Sequence, residues 1–404
     1  MQHDILFNAA ACIVPRSAAV ELVADSDKKK LMRILYVNAG NLYGGVEVLL
    51  TALARHRGVC PAMEPHFATC FQGRSSEELA ASGVPVHVLG EVRVRRPLSV
   101  LAARRRLESL IRRERYDAVV CHSAWAQAIF GPAVRAAGVP LLFWLHDPPE
   151  KRTLHGLEHW ARRSPPDLTL CNSHYTADRV SRLYPASASY LVYCPVAPPE
   201  MPRSASDREA TRAEFAAPVG GTVFLQIGRW ERHKGHLLHL EALRRLAGRR
   251  DWCCWQVGAP QRPQEAKYLA EVKALAVRVG IADRIHFLGW QDDLGRILAA
   301  ADVYCQPNIG TEPFGISLIE ALYAGLPVVS TALGGPSEIV TEACGILVSP
   351  ADPAALADAL AALVDDPERR ARLSAGGPLR ARELCDPTNA LGRLAEVLGQ
   401  FSVA

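Results

Sequence analysis

The chain lacks any apolar run long enough to cross a bilayer. A membrane-spanning helix needs roughly 18 or more consecutive apolar residues, and no such run occurs among the 404 residues. A large excess of one charge is also missing, since 46 basic and 42 acidic side chains leave a formal net charge of +4. So small a surplus does not indicate a nucleic-acid partner. With 49% hydrophobic and 22% charged residues, the composition is typical of a soluble globular protein.

Several motifs of cofactor and metal sites are missing as well. The 11 cysteines are scattered, and no pair of Cys-x-x-Cys motifs occurs, which favours buried reduced thiols. The first glycine-rich loop is not Gly-x-Gly-x-x-Gly, so a nicotinamide cofactor is poorly supported. No Asp-x-Asp suited to a divalent cation stands at a strand end, and His233, His236 and His239 drift around a helix without supporting carboxylates. We therefore predict neither a cofactor nor a metal.

The chain is rich instead in short apolar runs that alternate with segments of helical spacing. One such segment has Val46, Leu49, Leu50 and Leu53 on a single face, which is the pattern of an amphipathic helix. Alternating strands and helices indicate a parallel sheet covered on both faces. The predicted strands span residues 34–38, 66–70, 84–89, 118–121, 141–145, 168–171 and 190–193 in the first half, and residues 223–227, 252–257, 285–288, 303–306, 328–330 and 346–348 in the second.

Prolines cluster between the two halves. Pro195, Pro198, Pro199 and Pro202 precede a polar stretch at residues 204–207, and together they indicate a linker. We predict an α/β fold of two Rossmann-like domains whose parallel sheets face each other across a cleft. The predicted parts are a disordered N-terminal extension over residues 1–31, ahead of a natural start at Met32, a first domain over residues 32–198, a second domain over residues 199–385, and a helix over residues 386–404 that crosses back to the first domain.

Loops that follow strands carry the candidate site, because open α/β sheets bind ligands beyond the carboxyl ends of their strands. Gly44 and Gly45 follow the first strand and suit a loop over a phosphate or acceptor, although a tight turn would need glycine too. Arg229 and Lys234 follow the first strand of the second half. Their charges could hold a diphosphate, or they could lie at an ordinary solvated helix start.

The most specific segment follows the fourth strand of the second half. We expect a helix to begin near Phe314, with free amides at Phe314, Gly315 and Ile316 that favour an anion. Glu312 precedes this helix and Glu320 lies about two turns inside it. A carboxylate accepts hydrogen bonds from neighbouring hydroxyls, so both residues suit sugar or ribose diols. The alternative is one helix-terminal carboxylate and one solvated surface group.

Two histidines stand at strand ends in the first half. His146 comes directly after the strand at residues 141–145, and His122 follows the preceding strand. Both positions should face the cleft, and we favour a functional role for His146, with His122 as a second candidate. A purely structural role is the alternative for each, because a single histidine is more often structural.

Together these loops resemble the retaining GT-B glycosyltransferases of family four, the glycosyl transferases group 1. The likeness runs from Met32 nearly to the C-terminus and is most specific where Arg229, Lys234, Glu312 and Glu320 stand in family order and spacing. The resemblance implies a metal-independent retaining hexosyltransferase without a cofactor, active in polysaccharide biosynthesis. Such an enzyme moves a hexose from a nucleotide diphosphate sugar to a glycan, lipid-linked or small-molecule acceptor.

The resemblance also implies a role for each matched residue. Arg229 and Lys234 would hold the donor diphosphate, Glu312 would bind hydroxyls of the donor sugar, and His146 would approach that sugar from the first domain; these four form the implied catalytic set. The other implied donor contacts are Gly44 and Gly45 over the phosphates, Phe314, Gly315 and Ile316 at the sugar, Glu320 at the ribose, and Leu288 and Trp290 at the base.

Two other functions on the same architecture stay open. One is a nucleotide-sugar epimerase, and the other is a catalytically silent nucleotide-sugar binding protein. An arginine-rich helix is predicted near residues 98–114, with Leu101, Leu107, Leu110 and Ile111 on its apolar side. Such a helix can lie on anionic lipid, or it can be a solvated face. We expect a cytoplasmic protein, in contact with the inner face of the membrane if this helix binds lipid, and no nucleic-acid partner.

Overall fold

Two separate parallel sheets form the framework of the protein. The computed structural model describes residues 31–149, 154, 156–201 and 204–401, and the predicted extension up to residue 30 lies outside them. Leu31–Ala404 forms one compact unit. In the described residues the first sheet has seven strands and the second has six. We call the region around the first sheet, residues 31–201, the first lobe, and the region around the second, residues 204–385, the second lobe.

The first lobe alternates strands and helices from its first residues. Its strands are β1 (Met32–Asn38), β2 (Met63–Thr69), β3 (Val86–Val88), β4 (Ala118–His122), β5 (Leu141–Leu145), β6 (Leu168–Cys171) and β7 (Ser189–Leu191). Its helices are α1 (Gly45–Arg55), α2 (Arg74–Ala81), α3 (Pro97–Glu114), α4 (Ser123–Ala136), α5 (Gly156–Ala161), α6 (His174–Ala177) and α7 (Val180–Leu183).

The second lobe repeats this alternation. Its strands are β8 (Thr222–Ile227), β9 (Trp252–Val257), β10 (Ile285–Gly289), β11 (Val303–Gln306), β12 (Val328–Thr331) and β13 (Gly345–Val348). Its helices are α8 (Ala205–Glu214), α9 (His236–Arg244), α10 (Pro263–Arg278), α11 (Leu294–Ala300), α12 (Ile316–Tyr323), α13 (Pro336–Ile339), α14 (Pro353–Asp365) and α15 (Pro367–Cys385); α16 (Pro387–Gly399) follows.

Both sheets have the strand order of a doubly wound fold. The first runs β3-β2-β1-β4-β5-β6-β7 and the second runs β10-β9-β8-β11-β12-β13. Each order reverses beside its first strand, between β1 and β4 and between β8 and β11. Ligands of open α/β sheets bind in the crevice at such a reversal. The predicted α/β class with two parallel sheets is therefore confirmed, and the loops after these four strands are where a site is expected.

The central strands are buried because helices cover the sheets, whereas the edge strands β3, β7 and β10 are mostly half-buried. All five residues of β5 are at most 1% exposed, as expected for the continuous apolar runs of parallel strands. Each predicted strand is present, with ends shifted by three residues or fewer. The described cysteines are buried and form no disulfide.

Two local expectations were wrong. The polar stretch at residues 204–207 is the first turn of α8 and not part of a linker, because Ser204 Oγ accepts a hydrogen bond from the amide of Asp207 and caps the helix. The helix expected near Phe314 begins two residues later, at Ile316, because Gly315 has a φ of +110° that a helix does not allow. Glu320 consequently lies about one turn from the helix start.

The C-terminal helix packs away from the sheet that precedes it. After α15 the chain turns at Asp386, whose carboxylate accepts hydrogen bonds from the amides of Thr388 and Asn389 at 2.9 and 3.2 Å. Helix α16 then contacts the short 3-10 turn Arg57–Val59 of the first lobe. Its buried residues, among them Leu391 and Leu394, join the same apolar cluster as Leu49 of α1. The tail therefore ties the end of the chain to the first lobe.

Candidate active site

An ion pair between Lys234 and Glu312 forms the centre of the second lobe's cleft face. Lys234 lies in the loop after β8 and Glu312 in the loop after β11, and the two strands are neighbours. Lys234 Nζ donates to Glu312 Oε2. The same oxygen accepts from Gln306 Nε2 at 2.9 Å and from Asn308 Nδ2 at 3.4 Å. Burial would raise the pKa of Glu312, but the charge and hydrogen bond of Lys234 hold it below its ordinary value.

The other oxygen of this carboxylate is left for a ligand. Among the described residues Glu312 Oε1 accepts no hydrogen bond, because all three donors converge on Oε2. The next loop holds the backbone in place: the amide of Gly335 donates to the Glu312 carbonyl at 2.7 Å. Gly334 must be glycine, since its φ is +79° and a Cβ there would lie 2.2 Å from that carbonyl oxygen.

Arg229 and the glycine loop of the first lobe meet at the start of α12. Arg229 pairs with Glu231 at 3.0 Å. A Cβ placed on Gly44 would lie 3.7 Å from Arg229 Nε, and one placed on Gly45 would lie 3.5 Å from Cδ1 of Ile316. These distances bring the predicted phosphate loop of the first lobe against the predicted phosphate ligands of the second.

The glycine loop is held by a buried carboxylate. Glu47 Oε2 accepts from the amide of Gly44 at 2.9 Å, and Glu47 Oε1 accepts from Asn38 Nδ2 at 2.8 Å. The Glu47 carboxylate thereby caps the N-terminus of α1 and connects the helix to the end of β1. Desolvation raises the pKa of Glu47, while the bonds from Asn38 and Gly44 and the charge of Arg229 oppose that shift.

His146 lies at the first lobe's face of the cleft, whereas His122, which was also expected to face the cleft, is fully buried behind it. His122 Nδ1 is 2.9 Å from His146 Nε2, and the two ring planes are within 14° of parallel. Trp144 adjoins both rings, with centroids 5.4 Å from His122 and 5.9 Å from His146. Burial lowers the pKa of His146 to about 3. It also lowers the pKa of His122 well below its ordinary range, with a further contribution from His146.

Asp147 adds an acidic group next to this pair. The residue is exposed, and the charged residues that act on the pKa of its carboxyl belong to the second lobe. Desolvation and then the charge of Glu312 raise the pKa of Asp147, whereas Lys234 and Arg229 act to lower it. The electrostatic coupling places Asp147 opposite the ionic group of the second lobe.

The remaining predicted donor residues lie around this centre. Phe314 and Gly315 are buried, and among the described residues the amides of Phe314, Gly315 and Ile316 find no acceptor. The half-buried Glu320 faces no cation within the described chain, and burial raises its pKa to about 7. Leu288 lies half-buried in β10.

Trp290 is 40% exposed and is contacted from the first lobe. The guanidinium of Arg74 lies 4.1 Å from its ring centroid and 4.6 Å from that of Tyr43. Two hydrogen bonds join the backbone of Tyr43 to the side chain of Gln261, at 2.8 and 2.7 Å. These contacts bridge the lobes at one edge of the cleft, next to the predicted base site.

Several of these residues were missed by the sequence reasoning. Gln306 ends β11, Asn308 follows it, and Asp147 follows β5, so their positions at strand ends were a signal available in the sequence. Arg74, the first residue of α2, and Gln261, in the loop before α10, carry no comparable signal, because tertiary packing brings them to the site region. In the described part of the chain no three His, Cys, Asp or Glu residues are grouped as metal ligands would be.

Two family models match the chain, one for each lobe. The model described as Glycosyltransferase Family 4 matches residues 43–198, and the model described as Glycosyl transferases group 1 matches residues 207–380. Their boundary falls between the two sheets.

Curated proteins with similar sequences carry related names. D-inositol 3-phosphate glycosyltransferase of Xylanimonas cellulosilytica is 32% identical over 67% of this chain and 63% of its own length. Phosphatidyl-myo-inositol mannosyltransferase of Mycobacterium leprae is 48% identical over 24% of this chain and 27% of its own length. The lipopolysaccharide core biosynthesis glycosyltransferase LpsD of Rhizobium meliloti is 33% identical over 41% and 46%. The chain therefore spans less than two thirds of the length of these relatives.

Solved structures share the whole fold at low sequence identity. Anabaena HepE in complex with UDP and glucose has a TM-score of 0.80 and 22% identity, over 91% of this chain and 99% of that one. A sucrose-phosphate synthase from Thermosynechococcus elongatus has a TM-score of 0.72 and 20% identity, over 91% and 99%. At these identities the likeness establishes the two-lobed architecture.

Proposed function

Because the chain belongs to the glycosyltransferases of family 4 and has the GT-B fold, we propose that it transfers a hexose from a nucleotide diphosphate sugar to a hydroxyl-bearing acceptor. In this proposal the reaction needs no metal and retains the anomeric configuration. The single observation that carries it is the Lys234–Glu312 pair at the start of α12, next to Arg229.

The positive charges of Arg229 and Lys234 can stabilise the negative charge of the leaving diphosphate. Breaking the bond from the anomeric carbon to the phosphate oxygen leaves negative charge on the nucleotide. Arg229 can grip two phosphate oxygens at once, and Lys234 adds a point charge. The amides at the start of α12 favour the same sign. Such preorganised donors stabilise developing charge without reorganising during the reaction.

Glu312 is suited to hold the donor sugar. Its Oε2 is occupied by Lys234, Gln306 and Asn308, whereas Oε1 is available to sugar hydroxyls. A carboxylate neutralised by three donors is a weak nucleophile, so we favour displacement on one face of the sugar through an ion pair. In this pathway the acceptor hydroxyl attacks the anomeric carbon and passes its proton to the departing phosphate oxygen.

The other residues complete a donor pocket in the same proposal. Glu320 holds the ribose, Leu288 and Trp290 meet the base, and Gly44 and Gly45 lie over the phosphates. His146 contacts the sugar from the first lobe. Support comes from the position of each loop at the carboxyl end of a strand and from solved neighbours that bind UDP or UDP-glucose.

A panel of nucleotide sugars tests the proposal. The purified full chain is incubated with UDP-, GDP- and ADP-linked hexoses, and the products are resolved by chromatography and NMR. Slow release of free nucleotide is expected from one donor, and release should accelerate with an acceptor and give a product of unchanged anomeric configuration. Isomerised donor would identify an epimerase, and binding without turnover a silent protein. Arg229→Ala should abolish turnover, and the exposed Arg112→Ala should not.

The acceptor is proposed to be a polyol or a lipid-linked glycan. The relatives named above are called after inositol 3-phosphate, phosphatidyl-myo-inositol and the lipopolysaccharide core. No helix in the described chain is both long and apolar enough to span a membrane. A lipid-linked acceptor would then have to be reached from the surface of the bilayer.

The exposed side of α3 is the proposed membrane contact. Leu98 and Leu101 are exposed there, beside the exposed Arg95, Arg96 and Arg105, and a cavity of about 540 Å³ adjoins Arg105 and β3. Apolar and basic residues together favour anionic lipid. The inward side of the helix is excluded from this role, since the Arg104 guanidinium donates to the carbonyls of Ile129 and Ala128 at 2.5 and 3.1 Å.

Vesicle sedimentation tests this contact. Binding to phosphatidylglycerol vesicles should exceed binding to phosphatidylcholine vesicles and should weaken as salt screens the charges. The charge reversal Arg95→Glu, Arg96→Glu, Arg105→Glu should abolish the preference, whereas Arg244→Glu on the second lobe should leave it intact. Equal binding of the wild type and the triple variant would refute the role of α3.

A further inference from the structure

The buried His122 stands behind His146 in the first lobe. His122 is fully buried and His146 is 7% exposed. His122 is the last residue of β4 and pairs in register with Trp144 of β5, and His146 directly follows β5. His146 comes two positions after Trp144, so the two side chains project to the same face of the chain. Contacts with Trp144 and with Tyr36, whose ring centroid is 5.8 Å from that of His122, fix the plane of the inner imidazole.

The N···N contact of 2.9 Å holds a single proton. Both imidazoles are neutral near pH 7, because burial disfavours the charged forms. A neutral imidazole carries one N–H and one bare nitrogen. The contact therefore works in one of two ways: His122 donates from Nδ1 to His146 Nε2, or His146 donates from Nε2 to His122 Nδ1.

The surroundings of His122 Nε2 distinguish the two arrangements. This atom is sealed from solvent and finds no partner among the described residues. If His122 accepted at Nδ1, its proton would sit on Nε2 as a buried donor without an acceptor, and orphaned buried N–H groups are rare. If His122 donates from Nδ1, Nε2 is a buried acceptor that receives no hydrogen bond. The second arrangement leaves no buried N–H without an acceptor, because the remaining N–H belongs to His146 Nδ1, which is not among the sealed atoms.

We infer that His122 is a positioning residue that fixes the tautomer of His146. His122 donates to Nε2 of His146, so the proton of His146 resides on Nδ1. Among the described residues His146 Nδ1 finds no hydrogen-bond partner. The outer imidazole therefore offers a substrate a donor and no bare nitrogen. In the proposed transferase, on which the functional meaning of this inference rests, such a group binds a sugar oxygen and does not remove a proton from it.

The tautomer can be observed in the resting protein. The full chain is labelled with ¹⁵N-histidine, and long-range proton–nitrogen correlations are recorded at pH 7.5, with the His146 signals assigned by their loss in His146→Gln. The wild type should show His146 protonated at Nδ1 and bare at Nε2. His239 is an internal reference, because the 2.8 Å contact of its Nδ1 with Gln226 Oε1 is shorter than the 3.3 Å contact with Gln256 Nε2 and favours a proton on Nδ1.

Two variants of His122 separate positioning from simple packing. His122→Phe keeps an aromatic ring but has no donor, so the preference for Nδ1 is lost and the Nε2-protonated form of His146 should become populated. In His122→Asn the amide N–H can replace Nδ1–H, and the wild-type tautomer should return. Donor turnover with the active nucleotide sugar should fall by about tenfold in His122→Phe and by less than about threefold in His122→Asn.

The NMR measurement tests the tautomer of His146 and the kinetic measurement tests sugar transfer, so either hypothesis can be refuted without the other. A wild-type His146 protonated at Nε2, or the same tautomer in the wild type and His122→Phe, would overturn the inference even if sugar transfer were demonstrated. A protein that transfers no sugar would refute the proposed function and leave the tautomer measurement valid. If His122→Phe fails to fold, His122→Asn and the wild type still decide the tautomer.

Discussion

The two faces of the cleft differ in how they handle charge. The second lobe presents ions: Arg229 with Glu231, and Lys234 with Glu312. The first lobe presents His146, which burial keeps neutral, and a glycine loop whose carboxylate, Glu47, is turned back onto the backbone. The ionic groups of the second lobe face mostly uncharged groups, with Asp147 as the exception.

This difference suits a donor that has one charged end and one uncharged end. The diphosphate of the proposed donor needs fixed positive charge, and Arg229 and Lys234 of the second lobe carry such charge. The sugar needs directional hydrogen bonds without a net field, which a neutral imidazole can supply. Added salt should therefore weaken the binding of nucleotide by the charged residues of the second lobe. It should leave the contribution of the first lobe to binding of the sugar nearly unchanged.

The largest expected loss of activity comes from substitution of Glu312 in the second lobe. In Glu312→Ala, Lys234 loses its partner and the sugar loses its carboxylate, so we expect nucleotide release from the active donor to fall by roughly 10³-fold. Glu312→Gln keeps one acceptor oxygen and should lose about 10²-fold. Initial rates at saturating donor measure both.

The control for this prediction is Glu271→Ala in the same lobe. Glu271 pairs with Arg232, and both side chains are well exposed, so the loss should be less than about twofold. Circular dichroism melting verifies that each variant is folded. Full activity in Glu312→Ala would refute the site assignment.

Substitution of His146 in the first lobe should reduce activity less than substitution of Glu312, and the reduction should not depend on pH. His146→Gln removes the Nδ1 donor, and we expect kcat/KM to fall by about 30-fold while the Kd of the free nucleotide stays constant. Because the pKa of His146 is about 3, the ratio of wild-type to variant rates should be flat from pH 5 to 8. An inflection of that ratio near pH 6.5 would show that His146 titrates normally. The exposed His159→Gln is the matched control.

The sequence predicted the framework well for a physical reason. Buried parallel strands need continuous apolar runs, so each of them leaves a local signature; the run at residues 141–145 is β5 unchanged. Residues directly after strands, such as His146 and Glu312, could be predicted for the same reason. The end of a strand places them at the edge where ligands bind.

Contacts made through tertiary packing left no such signature. The pairing of His122 with His146 depends on β4 and β5 being neighbours, and the position of Arg74 over Trp290 depends on how the lobes meet. The start of α12 was misplaced because the φ of Gly315 depends on its surroundings. The sequence identified the residues at strand ends but not the partners that hold them.

A smaller expected effect is the decrease in the free energy of unfolding when Glu320 ionises. Burial raises its pKa to about 7, so between its ordinary pKa and pH 7 the folded state binds more protons than the unfolded state. Stability must then fall as pH rises through this window. A full shift of this size corresponds to at most about 3 kcal/mol, and we expect about 1 kcal/mol because the side chain is partly solvated.

Glu320→Gln should remove this pH-dependent loss. The difference in Tm between variant and wild type should be more positive at pH 8 than at pH 5, by about 1–2 °C. Differential scanning fluorimetry in matched buffers measures it. The exposed Glu342→Gln should show no such difference between the two pH values. Parallel melting curves of Glu320→Gln and wild type across this range would mean that Glu320 ionises normally.

The smallest expected effect tests whether the nucleotide is bound by the second lobe alone or by residues of both lobes. Arg74 belongs to the first lobe, yet its guanidinium lies over Trp290 of the second at 4.1 Å and reaches Asp292 at 3.4 Å. Its removal costs a partly exposed cation–π contact, so the Kd of the nucleotide should rise about fivefold in Arg74→Ala. Calorimetric titration measures this, with Arg112→Ala as control.

The result for Arg74 decides between two descriptions of the cleft. If nucleotide affinity falls in Arg74→Ala while the kcat of the bound donor is unchanged, then a first-lobe residue serves the nucleotide end. The two ends of the donor would then be bound by different kinds of residue, and each lobe would contribute residues to both ends. If nucleotide affinity is unchanged, the nucleotide depends on the second lobe alone, and the contacts of Arg74 with Tyr43 and Trp290 only join the lobes. An intact affinity together with a larger radius of gyration in solution scattering would establish that second description, because the bridge would then hold the lobes together without serving the donor.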